Sequence, residues 1–215
     1  MPVLVKRSPL VTSIRQSLLR FVRSTYGLKV FYIRNREEFP FIANNRNLLG
    51  EGVEIGVWKG EYSHFLLSHW KGRTLYSVDP WKSFIDQSYK DDMNIEQQQF
   101  DGIHDGVKQL LAPFGSRSQI VRKLSSEAAP MFRDGQLDFV YIDAQHHYEA
   151  VKEDIGLWFP KVKKGGILAG HDYLDGKIDN SEFGVKKAVD EFAKENNLKL
   201  LVGDRDDYRS WFIFK

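Results

Sequence analysis

The last two apolar runs of the chain, residues 198–202 and 210–214, are separated only by the turn-rich stretch 203–208. That gap is too short for the crossover that two parallel strands require, so the pair predicts an antiparallel hairpin. The sequence from residue 50 up to this pair obeys a different rule. Apolar runs at 53–57, 74–78, 119–124, 137–142 and 166–169 alternate with segments of helical period at 61–70, 95–114, 127–132, 148–159 and 185–196. Such alternation predicts a parallel sheet covered by helices on both faces. Together the two patterns define an α/β fold: a doubly wound, mostly parallel, seven-stranded sheet ending in a C-terminal antiparallel hairpin strand.

With 215 residues the chain supports one sizeable core. The pattern assigns residues 48–215 to that domain and residues 1–47 to a basic N-terminal helical extension. The first 50 residues carry nine Lys/Arg and two Glu, against a formal net charge of only +2 for the whole chain. Leu10, Ile14, Leu18, Phe21 and Val22 recur at helical spacing, with Arg15, Arg20 and Arg23 between them. A helix of this kind docks its apolar stripe on its own domain or on a second copy of the chain. A membrane-surface helix and a cleaved transit peptide are weaker alternatives. The chain has no cysteine, which removes disulfides, thiolate zinc sites and a cysteine nucleophile and fits a cytoplasmic location. No apolar run is long enough for a transmembrane segment.

The first strand runs into "VEIGVWKGEYSHFL". Ligands of parallel sheets bind beyond the carboxyl ends of the strands. There Gly56 and Gly60 allow a tight turn and close backbone approach. Glu54 is placed to take up an amino group of the ligand. Ser63, opening the next helix, is placed to bond a carboxylate. Taken alone, the glycine pair is equally well a plain strand-to-helix turn. "LYSVDPW" adds Asp79 at the tip of the second strand, where an acid accepts hydrogen bonds from both ribose hydroxyls. Its competing use is as a turn cap before Pro80. The two features in this order predict a nucleoside ligand.

Four segments, "EIGVWKGEYS", "YSVDPW", "DFVYIDAQHHYEAVKEDI" and "PKVKKGGILAGHDY", resemble the motif series of the class I, Rossmann-like methyltransferases related to macrocin O-methyltransferase. They are more distantly similar to catechol O-methyltransferase. The resemblance spans roughly residues 48–200. It implies S-adenosylmethionine as the cofactor, with Asp79 at the ribose and Ser125 or Ser126 near the adenine.

Three strand tips carry acceptors: Asp143 after the fourth strand, and His171 with Asp172 after the fifth. Neighbouring tips lie about 5 Å apart, so these side chains can converge. Two carboxylates and an imidazole predict a site for Mg²⁺ or Mn²⁺. The catechol enzymes place Asp, Asp and Asn at the corresponding tips, so "GHDY" is a departure, and His171 has a second use as a substrate or supporting contact. His146 falls where the resemblance puts a general base, and an imidazole suits the removal of a hydroxyl proton. His147 is ranked second. D-x-x-H is also a common helix start, with the Asp as cap. Asp143 thus counts both as metal ligand and as part of the catalytic set.

An insert near 81–106 holds Trp81, Phe84, Tyr89 and Met93, suited either to gripping an acceptor or to anchoring the insert. The loop "LDGKIDNSEFG", with Asp175, Asp179 and Asn180, is equally a closing loop or a surface loop. The expected activity is therefore metal-assisted O-methyl transfer to a hydroxyl of a small molecule or glycan. The alternatives are a metal-independent enzyme using His146 and a non-catalytic S-adenosylmethionine-binding module. Nucleic acid is disfavoured as a partner, because basic residues cluster outside the motif region. A nicotinamide dehydrogenase is disfavoured by the missing G-x-G-x-x-G and by the closing hairpin.

Overall fold

A computed structural model describes residues 33–83, 95–178, 181–203 and 208–215. The amphipathic segment 8–26, Phe84, Tyr89, Met93, Asp179 and Asn180 lie outside the described residues, as does any contact between copies made by that segment.

The main sheet has seven strands: β1 (Glu51–Ile55), β2 (Thr74–Val78), β3 (Ser118–Val121), β4 (Leu137–Ile142), β5 (Val162–Gly170), β8 (Leu200–Val202) and β9 (Trp211–Phe214). Their order is β3-β2-β1-β4-β5-β9-β8. The first five are parallel, and β9 runs antiparallel to both β5 and β8. This is the Rossmann-like, doubly wound sheet with an antiparallel C-terminal pair. The helices are α1 (Phe39–Asn45), α2 (Glu61–His69), α3 (Gln97–Leu111), α4 (Ser125–Ala128), α5 (Tyr148–Trp158) and α6 (Val185–Glu195).

Alternation along the strands sends side chains to two packed layers. Val53, Ile55, Val140, Ile142 and Leu168 meet Ala128, Val151, Ile155, Trp158 and Val189 in one apolar cluster. On the opposite face the ring of Phe39 in α1 stands 4.9 Å from Phe139 and 5.5 Å from Tyr141. Truncating a fully buried Phe of this kind costs about 3–5 kcal/mol. Gly52 makes the Phe139 ring possible, since a Cβ there would come within 2.3 Å of it.

Several expectations shift. Ile33, Phe39 and Ala43 are buried, so the packed core takes in residues ahead of 48. β1 starts at Glu51 and β3 ends at Val121, each earlier than the apolar runs suggest, while β5 begins at Val162. The helix expected to run to Phe114 stops at Leu111. A 3₁₀ segment, Ala112–Arg117, follows, with Pro113 near its start and Gly115 in a left-handed conformation (φ 56°). The loop "LDGKIDNSEFG" is a separate two-stranded hairpin, β6 (Asp175–Ile178) with β7 (Ser181–Gly184). Its alternation is too short and too polar to be read as strand. No helix among the described residues is long and apolar enough to cross a membrane.

Candidate active site

The carboxyl ends of the central strands are stitched together by backbone bonds just past their tips. Gly56 N–H donates to Val78 O (2.9 Å), Asp79 N–H to Val121 O (3.2 Å), Asp143 N–H to Ile55 O (2.8 Å) and His171 N–H to Ile142 O (3.0 Å). This aligns the chemistry-bearing residues along one edge, at the point where strand order reverses between β1 and β4. A cleft of about 470 Å³ opens there. Gly56 is needed for the close approach: it has φ 82°, and a Cβ would lie 2.0 Å from Asp143 O. Gly60, with φ 80°, opens α2 in the left-handed region.

Asp79 organises the glycine loop before any ligand arrives. Its Oδ2 accepts the N–H groups of Val57 (2.9 Å) and Trp58 (3.0 Å), and its Oδ1 accepts that of Trp81 (2.7 Å). Trp58 (φ 50°) and Trp81 (φ 39°) are both left-handed, so Asp79 holds two backbone positions that cost about 1–3 kcal/mol each. Burial raises its carboxyl above the usual range, against the pull of the three N–H donors. Trp81 is fully buried and donates its indole N–H to Trp58 O (2.8 Å), so its side chain is packed into the domain.

Glu54 lines the cleft with only 1% of its surface exposed. Burial pushes its carboxyl up to about 8, although Ser63 donates a hydrogen bond to it. Ser63 itself is fully buried behind Glu54, with its Oγ 2.7 Å from Ser77 Oγ. It is not among the residues lining the cleft, unlike Glu54. Its hydroxyl is occupied by Glu54 and Ser77 and supports the acid. Ser125 and Ser126 both line the far end.

At the other end, Asp143, His146 and Asp172 each present a donor atom, all within 4.8 Å of one another. His146 Nε2 lies 3.0 Å from Asp172 Oδ2. His171 Nδ1 lies 3.3 Å from Asp172 Oδ1 and 3.9 Å from Asp143 Oδ1. The expected ligand set was Asp143, His171 and Asp172. The grouping within 4.8 Å has His146 in place of His171, and His171 does not line the main cleft. The chain turns sharply at Asp172 (φ 53°), which aims its carboxylate back between the two imidazoles. Asp172 is held below the usual range: burial opposes this, but hydrogen bonds from both histidines prevail. Asp143 is pushed up by burial and by the neighbouring Asp172 charge, against the attraction of His171. His147 occupies the boundary position just before α5, in extended backbone and without a side-chain capping bond.

Two cleft features had no signal in the sequence reading. Arg36, from the 3₁₀ turn Arg36–Glu38, places Nη1 3.2 Å from Asp143 Oδ2 and its guanidinium 4.9 Å over the Tyr62 ring. The β6–β7 hairpin lays the Phe183 ring on His146, with centroids 4.9 Å apart and planes 21° from parallel, and Gly184 N–H donates to His146 O (2.8 Å).

A doubly wound sheet of this order binds its ligands in such a strand-tip cleft. Residues 53–173, more than half of the chain, match the model of a family described as "Methyltransferase domain", and the chain belongs to that family. A curated relative, the uncharacterised protein R132 of Acanthamoeba polyphaga mimivirus, is 26% identical over 127 residues, or 57% of this chain. The chain spans about half (51%) of that relative's length. Among solved structures, an O-methyltransferase from Bacillus cereus in complex with SAH superposes with a TM-score of 0.60 at 13% identity, covering 99% of this chain and 94% of that one. The O-methyltransferase TomG from Streptomyces achromogenes, involved in tomaymycin synthesis and solved with SAM, gives 0.56 at 14% identity, with 99% and 92% coverage. These likenesses establish the fold.

Proposed function

We propose that this chain is an S-adenosylmethionine-dependent O-methyltransferase acting on a hydroxyl of a small molecule or sugar. The observation that carries the reading is one continuous cleft that joins Asp79 and Ser126 at one end to Asp143, His146 and Asp172 at the other. In this reading Asp79 takes the ribose hydroxyls, and Gly56 and Gly60 allow the loop to close on the cofactor. Glu54 receives the methionine ammonium. Arg36, rather than the buried Ser63, meets the methionine carboxylate, since its guanidinium lines the cleft, lies 3.2 Å from Asp143 and attracts Glu54. The bound homocysteine and methionine forms in the structural neighbours favour this cofactor.

The acceptor hydroxyl attacks the methyl carbon in line with the sulfonium. The new C–O bond forms as the C–S bond breaks, S-adenosylhomocysteine departs and the hydroxyl proton must be taken up. The protein's part is alignment and proton removal. Two carboxylates and an imidazole converging within 4.8 Å fit a divalent cation held by Asp143, His146 and Asp172, and the imidazole favours Mn²⁺ over Mg²⁺. When bound, such an ion lowers the pKa of a hydroxyl it coordinates. A metal-independent course has its own support. His146, oriented by Asp172 at 3.0 Å and by the Phe183 ring, has the arrangement of a general base held by a carboxylate.

The deciding experiment is calorimetric titration of S-adenosylmethionine and S-adenosylhomocysteine, each with Mn²⁺, with Mg²⁺ and with EDTA. Micromolar binding of both is expected. A folded sample that binds neither would overturn the proposal. Binding of both ligands with no heat from Mn²⁺ or Mg²⁺ and no effect of EDTA would leave the His146 course and remove the metal.

A further inference from the structure

The cleft holds one more buried acid, Asp154, on α5. It is 7% exposed and still lines the cleft, at the end that also holds Leu124, Ser125 and Ser126. Ser125 Oγ donates to its Oδ1. That hydroxyl is itself fixed, because it accepts the indole N–H of the fully buried Trp158 at 2.7 Å. The Trp158–Ser125–Asp154 chain therefore orients the carboxylate and leaves it short of donors. Among the described residues no cation offsets its charge; the nearby Glu153 repels it. A buried carboxylate without a cation costs several kcal/mol unless further donors reach it. A core that only needed filling would use an apolar residue here.

We infer that Asp154 reads the base of the cofactor, accepting a hydrogen bond from the exocyclic amine of the adenine. The inference rests on the cofactor reading above and adds the residue that selects the base. Asp79 marks the ribose end of the cleft, and the base of the same nucleoside extends from there toward Ser126 and Asp154. Val78, Leu124 and Ala150 supply apolar walls for a flat ring along that path. An amine donor meets the unmet need of Asp154. A carbonyl oxygen in its place, as in hypoxanthine, would face the carboxylate with like charge. Sites built around a buried polar group reject analogues that leave it unpaired.

The test is calorimetric titration of the full chain with S-adenosylhomocysteine and with S-inosylhomocysteine, which replaces the amine by a carbonyl. The wild-type protein should prefer the adenine form by about 10–100-fold. Asp154→Asn keeps the shape and the Ser125 bond, and its amide can donate to the carbonyl, so the preference should fall to within about threefold. Removing a buried unpaired charge does not endanger the fold, which a melting curve checks. Asp154→Ser serves as a second variant with the same expected loss of preference. Equal binding of the two ligands by the wild type, or an unchanged preference in both variants, would overturn the inference and leave the cofactor reading intact. Absence of binding by either ligand to folded wild-type protein would instead remove the cofactor reading and this inference together.

Discussion

Arg36 and Asp143 are 107 positions apart in sequence, yet their side chains meet at 3.2 Å inside the cleft. The pair joins the turn ahead of α1 to the tip of β4. It also puts a guanidinium on one of the three groups that could hold a cation. Arg36→Ala should therefore tighten Mn²⁺ binding several-fold while weakening S-adenosylhomocysteine about tenfold, the scale of one lost charge-assisted hydrogen bond. Titrations of both ligands check this. Unchanged affinities for both would mean that the guanidinium acts only on the fold.

His146 and His171 should behave differently. His146→Ala is expected to reduce Mn²⁺ affinity at least tenfold, as loss of one of three protein ligands does, and His171→Ala to change it by less than about threefold. The reverse order would restore the His171 ligand set.

Asp79→Ala removes the acceptor for three backbone N–H groups and releases two left-handed tryptophans. Binding of S-adenosylhomocysteine should be lost. The free protein should be less stable by about 2–4 kcal/mol in denaturant titration. A variant of full stability and normal affinity would show that the loop does not depend on this acid.

Glu54 links cofactor binding to protons. Its folded value of about 8 lies above the usual carboxyl range, so in the free protein it is mostly neutral at pH 7. Its stabilising contribution is complete below the unfolded pKa and is lost as pH rises through about 8. An arriving ammonium favours the ionised form, so binding at pH 7 should release close to one proton, and at pH 9 almost none. Calorimetry in buffers of different ionisation enthalpy reads this directly. Glu54→Gln should abolish the release.

The backbone at Gly56 leaves no room for a side chain, since Asp143 O would be 2.0 Å from any Cβ. Gly56→Ala should push β1 and β4 apart at their tips and abolish cofactor binding, with a melting temperature lowered by several degrees. Retained binding would show that the strand tips can part without harm.

What the sequence disclosed follows from how local each signal is. The parallel sheet and the closing hairpin come from spacing, and the same spacing sets Asp79, Gly56 and Asp143 at or just past strand tips. A helix start suggests a ligand contact for Ser63, whereas the hydrogen bonds it makes to Glu54 and Ser77 depend on the tertiary packing of β1 and β2. That His146 rather than His171 groups with Asp143 and Asp172 depends on the left-handed turn at Asp172, and no spacing rule encodes that turn. Arg36 and Asp154 were illegible: each acquires meaning only from partners brought up by the tertiary fold. In the sequence Asp154 is simply an acid in an amphipathic helix.

The β6–β7 hairpin stands outside the main sheet, with most of its residues exposed, and so carries little of the core. Yet Phe183 lies on the His146 ring and Gly184 is tied to its backbone. Grafting a different hairpin here to widen the range of acceptors would reset the imidazole at the same stroke. On the proposed reading, selectivity and reactivity are then inherited together, and an engineer who exchanges one must retune the other.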